Sequence, residues 1–366
     1  MIIKGLKENY ETFLEMIQFE ITGRCNMKCN HCRAWKDPRE NISIETIEKV
    51  LDFALPEAAE EVRFTISGGE PLLHPRFFEI LELIKNKVNK FSNTKLDHSV
   101  ITTNGFLLNK EIISKIENIG LGEVFVQVSI DSHDKSEHDG FRNFQGAFSK
   151  AVEAIKLVSS SKLIPIMRST ITPNRVDKIE EIIKLAKKCN VKRVSLGPVI
   201  PTGKAKIDKS LLLSPEEKKT LINTILTLRL KYPGINISTE DPVKFSICPK
   251  EWDYGEFDYK RKDFIGGCSA GIINMNVLSD GTITPCSMML TPIVNVKEKS
   301  PKEILKIYTS SDVISNLVER NVKGKCGICK FKRLCGGCRA TAEGITGDYL
   351  EEDPTCWKVN SINKYL

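Results

Sequence analysis

Long apolar runs are missing from this chain of 366 residues. Every hydrophobic stretch is short and broken by charge, well under the roughly 20 apolar residues that a bilayer-spanning helix needs, so no membrane association is expected. A secretion signal is missing too, because Met1–Tyr10 carries two lysines and no apolar segment. Nor does one sign of charge dominate. The excess of +7 is thin for this length, and the alternating Lys and Glu of Glu180–Lys188 read as a solvated helix face rather than a nucleic-acid surface. Histidine is scarce, and His74, His98, His133 and His138 have no ligand spacing to one another or to a cysteine group, so they read as surface or capping residues. Internal repeats and low-complexity tracts are absent. The expectation is a cytoplasmic globular protein.

Cysteine is what the chain has. There are 12, and without a secretion signal they point to metal ligation rather than disulfides. Ten fall in ligand-like groups; Cys189, ending an apolar helical pattern, reads as a buried structural thiol. The first group is Cys25-x3-Cys29-x2-Cys32, directly after an apolar stretch. A four-iron cluster normally takes four thiolates, so three leave one iron free for a further ligand. Structural zinc wants four closed ligands. His31 lies too near Cys29 and Cys32 in sequence to complete a tetrahedron, and no fourth cysteine is close.

The length suits one barrel plus a smaller unit. Candidate strands at Ile17–Thr22, Val62–Ser67, Ser99–Thr103, Val124–Ile130, Ile164–Ile171 and Lys192–Leu196 alternate with helical periodicity at Ile44–Leu55, Phe77–Lys90, Glu111–Ile119, Phe144–Ser159, Lys178–Cys189 and Pro215–Leu230. Six βα units imply an α/β fold with a parallel sheet, open as a partial (βα)6 TIM-like barrel. The cysteine loop, Gly68–Pro71, Asn104-Gly105 and Asp131 each follow a strand, and so converge on the ligand-binding rim of such a sheet. After Ile235 the alternation stops. This divides the chain into a barrel at 1–235 and a cysteine-rich unit at 236–366.

The cysteine loop followed by Ser67-Gly68-Gly69-Glu70-Pro71 resembles the radical S-adenosylmethionine (SAM) superfamily. The resemblance implies a [4Fe–4S] cluster on Cys25, Cys29 and Cys32 whose free iron chelates SAM. An electron from that cluster then cleaves SAM to a 5′-deoxyadenosyl radical, which abstracts a substrate hydrogen. It also implies that Ser67, Gly68, Gly69 and Glu70 meet the SAM amino group, at close range because glycine has no side chain in the way. Ser129 and Asp131 have the ordinary alternative of turn caps; the family implies contact with SAM ribose or carboxylate. Arg142 suits a bidentate carboxylate clamp, and Asn104 and Arg168 complete the expected SAM-binding set.

The C-terminal run of Cys268, Gly281-x4-Cys286, Cys326-x2-Cys329-x5-Cys335-x2-Cys338 and Cys356 resembles the SPASM domain, with x2 where many members have x3 before Cys338. By that resemblance Cys326, Cys329, Cys335 and Cys356 bind a distal auxiliary iron–sulfur cluster, and Cys268, Cys286 and Cys338 a proximal one. The fourth proximal ligand is Cys248, or that iron is open or differently held. Met275, Met288 and Met289 read as packing around the clusters. Two substrate classes remain. Many SPASM relatives modify peptides, whereas others that share Cys335-Gly-Gly-Cys338-Arg-Ala-Thr-Ala and Thr346-Gly-Asp-Tyr-Leu-Glu-Glu-Asp-Pro trim tetrapyrrole side chains. The expectation leans to a peptide or protein substrate. With only 24 residues before Cys25 it would dock directly or through a separate leader-recognition protein. A low-potential donor such as ferredoxin or flavodoxin is the expected redox partner.

Overall fold

The computed structural model describes residues 1–35, 40–243 and 266–358; Cys248 lies outside them. A short antiparallel hairpin, β1 (Ile2–Lys4) and β2 (Asn9–Glu11), opens the chain. The barrel elements follow as β3 (Leu14–Thr22), α1 (Ile44–Ala54), β4 (Ala58–Gly68), α2 (Phe77–Val88), β5 (Lys95–Thr103), α3 (Lys110–Ile119), β6 (Glu123–Ser129), α4 (Lys135–Arg142), α5 (Ala147–Ser159), β7 (Ile164–Ile171), α6 (Ile179–Lys188), β8 (Arg193–Pro198), α7 (Pro215–Lys231) and β9 (Asn236–Ser238). The C-terminal region adds β10 (Asn274–Val277), β11 (Thr282–Thr284), β12 (Val294–Asn295), α8 (Pro301–Thr309), α9 (Asp312–Glu319), α10 (Gly324–Ile328) and α11 (Arg339–Thr346).

Ten strands form one open sheet in the order β12-β11-β10-β3-β4-β5-β6-β7-β8-β9. The run from β10 through β9 is parallel throughout, with β11 and β12 added antiparallel at one edge. The six expected βα units are therefore present, in an α/β partial barrel, and two further strands extend its parallel part. The expected boundary at 235/236 falls just before β9, which pairs with β8, while β10 pairs with β3 through Met275 opposite Ile17. Both units contribute to one sheet.

Period-two alternation sets the layers. Ile17, Phe19 and Ile21 on β3 and Val62, Phe64 and Ile66 on β4 are fully buried in the main hydrophobic core. The intervening positions are polar and bond across the other face, as where Gln18 Nε2 donates to Ser67 Oγ at 2.9 Å. Helix starts follow capping chemistry. Ser214 and Ser300 each form a capping box, with Glu217 and Glu303, ahead of Pro215 and Pro301.

Three expectations need correction. The helix expected from Phe144 begins at Ala147, and a separate α4 precedes it; Asp139 on α4 accepts from Gly146 N at 2.8 Å and Phe148 N at 2.7 Å, which fixes where α5 starts. His74 and His138 are buried rather than on the surface and instead fill the capping alternative, accepting at Nδ1 from Arg76 N and Asp131 N, each at 3.1 Å. Met288 is 37% exposed, unlike the buried Met275 and Met289. Cys189 is buried, as expected. Among the described residues, no helix is long and apolar enough to cross a membrane.

Candidate active site

The first cysteine loop leaves β3 at Thr22 and is held from three sides. Asn30 N donates to Phe141 O at 3.0 Å, Lys204 N donates to Cys32 O at 3.0 Å, and Asn104 Nδ2 donates to Asn26 Oδ1 at 2.8 Å. Gly203 allows the second contact, because a Cβ there would stand 2.3 Å from Cys32 O. Cys25 is exposed, Cys32 partly buried and Cys29 buried. Desolvation, with Glu70, Cys29 and Cys32 adding to it, pushes the Cys25 thiol up to about 11. Burial and then Cys29 likewise raise the Cys32 thiol, so nearby positive charge, such as bound iron would supply, is needed to make thiolates of Cys25 and Cys32. Among the described residues, no three His, Cys, Asp or Glu side chains close on a single metal ion. A four-iron cluster asks for less closeness, since each thiolate takes its own iron.

The turn at the end of β4 lies directly against this loop. Gly69 N donates to Thr22 O at 2.7 Å and Glu70 N to Arg24 O at 2.8 Å. Gly68 has φ 138°, and a Cβ on it would fall 2.4 Å from Thr22 O; one on Gly69 would fall 2.3 Å from Arg24 O. Glycine is required at both because the two backbones touch. Glu70 is fully buried and accepts from Thr103 Oγ1 at 2.7 Å, Asn104 N at 2.8 Å and Leu72 N at 3.3 Å. It thus ties the ends of β4 and β5 together, and burial raises its carboxyl to about 7 against those hydrogen bonds.

Asp131 and Arg142 form the opposite wall. Asp131 is fully buried and accepts from Arg142 Nε at 2.6 Å and Thr170 N at 2.9 Å, while its own N donates to His138 Nδ1 at 3.1 Å. Burial alone would raise its carboxyl; Arg142 outweighs burial and holds it well below the usual range. Arg142 Nη1 also reaches Cys29 Sγ at 3.8 Å. Arg142 is thereby engaged by Asp131 and the cysteine loop. Ser129 ends β6 half-buried, opposite Arg168 on β7. Arg168 donates to Ser169 O at 2.9 Å and lies against Gly197.

Two further residues belong here: Arg175, which sequence reasoning did not single out, and His31, which it considered only as a zinc ligand and set aside. His31 stacks on Phe141 with centroids 4.3 Å apart, and Arg175 Cζ lies 3.9 Å from the same ring, so the phenyl is sandwiched. Burial lowers His31 to about 3 and keeps it neutral. Arg175 is 4% exposed, and its Nε and Nη1 have no acceptor among the described residues. The available signal was position: His31 lies inside the cysteine motif, and Arg175 follows the end of β7.

In the C-terminal region Cys326, Cys329, Cys335 and Cys356 line one cavity together with Lys218 and Asp353. Cys268, Cys286 and Cys338 form a second group. Burial first, then Cys268 and Cys338, pushes the Cys286 thiol up to about 12; burial, then Asp353 and Cys268, does the same to Cys338. These are the two groups that the SPASM resemblance names as cluster ligands. Buried cations flank them. Lys218 on α7 pairs with Asp241 at 2.8 Å and Asp353 at 3.4 Å, and Asp353 accepts from Cys338 N at 3.0 Å. Arg339 Nη2 reaches Cys326 Sγ at 3.9 Å.

Residues 19–211, more than half of the chain, match the model of the radical SAM superfamily. An AdoMet-dependent heme synthase of Methanosarcina barkeri is 28% identical over 349 residues, covering 93% of this chain and 95% of that protein. The antilisterial bacteriocin subtilosin biosynthesis protein AlbA of Bacillus subtilis is 27% identical over 87% of this chain and 66% of its own length. Among solved structures, native anSMEcpe with bound AdoMet and Kp18Cys peptide superposes with a TM-score of 0.73 at 20% identity, over 96% of both chains. The chain belongs to the radical SAM superfamily and is an enzyme of that family, which uses a [4Fe–4S] cluster and SAM.

Proposed function

We propose that this radical SAM enzyme carries two auxiliary iron–sulfur clusters and removes hydrogen from a carboxylate-bearing tetrapyrrole, in the manner of side-chain trimming. The observation that carries the substrate class is the charge around the site. Asp131 and Cys29 engage Arg142, whereas Arg168 and Arg175 form no ion pair among the described residues. Guanidinium pairs well with carboxylate, and two such groups exceed what the single carboxylate of SAM neutralises. The near-complete mutual coverage with the heme synthase supports the same choice.

The cysteine loop would hold the cluster that supplies the electron for SAM cleavage. The Gly68 and Gly69 carbonyl oxygens would accept hydrogen bonds from the SAM amino group, since the N–H groups of Gly69 and Glu70 are spent on Thr22 and Arg24. Ser67, Asn104, Ser129 and Asp131 shape the rim, with Asn104 steadying the loop through Asn26. Arg168 and Arg175 orient carboxylates. Cys326, Cys329, Cys335 and Cys356 hold the distal auxiliary cluster, and Cys268, Cys286 and Cys338 the proximal one.

A peptide or protein substrate is the second reading. The anSMEcpe structure that shares this fold over 96% of the chain holds a peptide. A ferredoxin- or flavodoxin-type donor suits either reading. The test incubates anaerobically reconstituted enzyme, SAM and reductant with iron porphyrin or sirohaem-type precursors, and separately with peptides encoded beside its gene, and reads product masses. Loss of carboxyl-derived mass from a tetrapyrrole is expected. Modification of a peptide, with every tetrapyrrole unchanged, would replace the first reading with the second.

A further inference from the structure

Arg320 ends α9 in the left-handed conformation, with φ 54°, and is 1% exposed. Its Nη2 donates to the carbonyl oxygens of Gly266 and Cys268, whereas Nε and Nη1 have no acceptor among the described residues. Unmade hydrogen bonds on a buried cation are costly, so two of them on one guanidinium indicate an acceptor that the described residues do not provide.

The surroundings identify that acceptor. Gly266 N donates to Arg333 O at 2.8 Å and Cys268 N to Cys335 O at 3.0 Å, so the segment at 266–268 runs beside 333–335. A Cβ on Gly336, which has φ 71°, would stand 2.8 Å from Arg320 Nη1 and 3.0 Å from Nε. The orphaned N–H groups therefore face the turn between Cys335 and Cys338, while Nη2 holds the Cys268 segment. Cys268 belongs to the proximal set and Cys335 to the distal set. Arg339 differs, because its Nη1 is fixed by Tyr349 O at 2.8 Å and Glu351 O at 2.6 Å.

We propose that Arg320 is a positioning residue shared by the two auxiliary clusters, donating its spare N–H groups to sulfur at the Cys268 and Cys335 corners. Its charge favours the reduced, more negative state of both, since hydrogen bonds to sulfur and net charge set cluster potentials. The inference rests on the two-cluster reading above.

The test is a potentiometric titration of the anaerobic holoprotein followed by EPR, with iron counted, for wild type, Arg320→Met, Arg320→Lys and Gly336→Ala. Arg320→Met should lower both auxiliary midpoints by about tenfold in the reduction constant, or ~59 mV for one electron. Arg320→Lys keeps the charge and loses the planar fork, so its drop should be smaller. Gly336→Ala should lower them by crowding the guanidinium while leaving Arg320 in place. The SAM-site cluster should keep its potential in all three. Unchanged auxiliary midpoints at full iron content would overturn the inference. Auxiliary iron missing from wild type would instead overturn the two-cluster reading. Loss of auxiliary iron from Arg320→Lys, with the SAM-site cluster kept, would make Arg320 scaffold only and also overturn the tuning role.

Discussion

The N-terminal cysteine loop and the C-terminal cysteine sets are built on opposite plans. Three thiols within eight residues sit on one loop at the sheet rim, held by contacts from β4, α4 and the segment after β8. The C-terminal cysteines are spread from Cys268 to Cys356 and interleaved, so each set closes only after distant segments have met. A compact loop of three suits a site that must leave one iron available. Dispersed ligands suit sites in which metal binding also fastens the fold. Buried cations mark both regions, but with different supports. Arg142 rests on one carboxylate, Asp131, whereas Lys218 joins two carboxylates from separate segments, Asp241 and Asp353.

Breaking these supports separately sharpens the contrast. The largest effect is expected from Asp131→Ala, which strands Arg142 in the interior and removes the acceptor of Thr170 N. Leaving a buried charge unpaired costs about 3–5 kcal/mol, to be read in urea unfolding, and the variant should also lose SAM cleavage. Lys218→Met comes next, at roughly 3 kcal/mol, since its two carboxylates can take up protons to limit the penalty. It should release iron from the distal set while 5′-deoxyadenosine formation continues. Equal loss of cleavage in both variants would erase the proposed division of labour.

Acid sensitivity should be smaller and local to the barrel. Burial lowers His138 to about 4 and His31 to about 3, against an unfolded value of 6.5. Groups whose folded pKa is depressed contribute stability above the unfolded pKa and lose it as pH falls. Holoprotein should therefore lose on the order of 2 kcal/mol from His138 alone between pH 6.5 and 4. His138→Gln should flatten that slope in unfolding titrations, and a slope identical to wild type would count against the buried neutral imidazole.

Much of this was legible because periodicity and spacing report it directly. Strand β3 and the later part of β4 alternate apolar with polar side chains, and the C-terminal cysteine groups were named by resemblance to the SPASM domain. What escaped had a physical reason. Helix α4, with sequence Lys-Ser-Glu-His-Asp-Gly-Phe-Arg, buries His138, Asp139, Phe141 and Arg142, so its inner face is polar and carries little apolar period. Arg175, Arg320 and Arg339 look like surface residues in one dimension; only the fold shows them buried, Arg175 over the Phe141 ring and Arg339 beside Cys326 Sγ. Strands β9 and β10 are short, and β10 joins β3 across more than 250 residues, beyond any local pattern.

The most direct test of the account replaces Cys25, Cys29 and Cys32 together with alanine and measures, anaerobically with SAM and reductant, both 5′-deoxyadenosine and protein-bound iron. The account predicts no 5′-deoxyadenosine, with iron retained at the C-terminal cysteines as two cluster signals in Mössbauer spectra. Undiminished cleavage by that variant, or complete loss of iron with the fold intact, would contradict it.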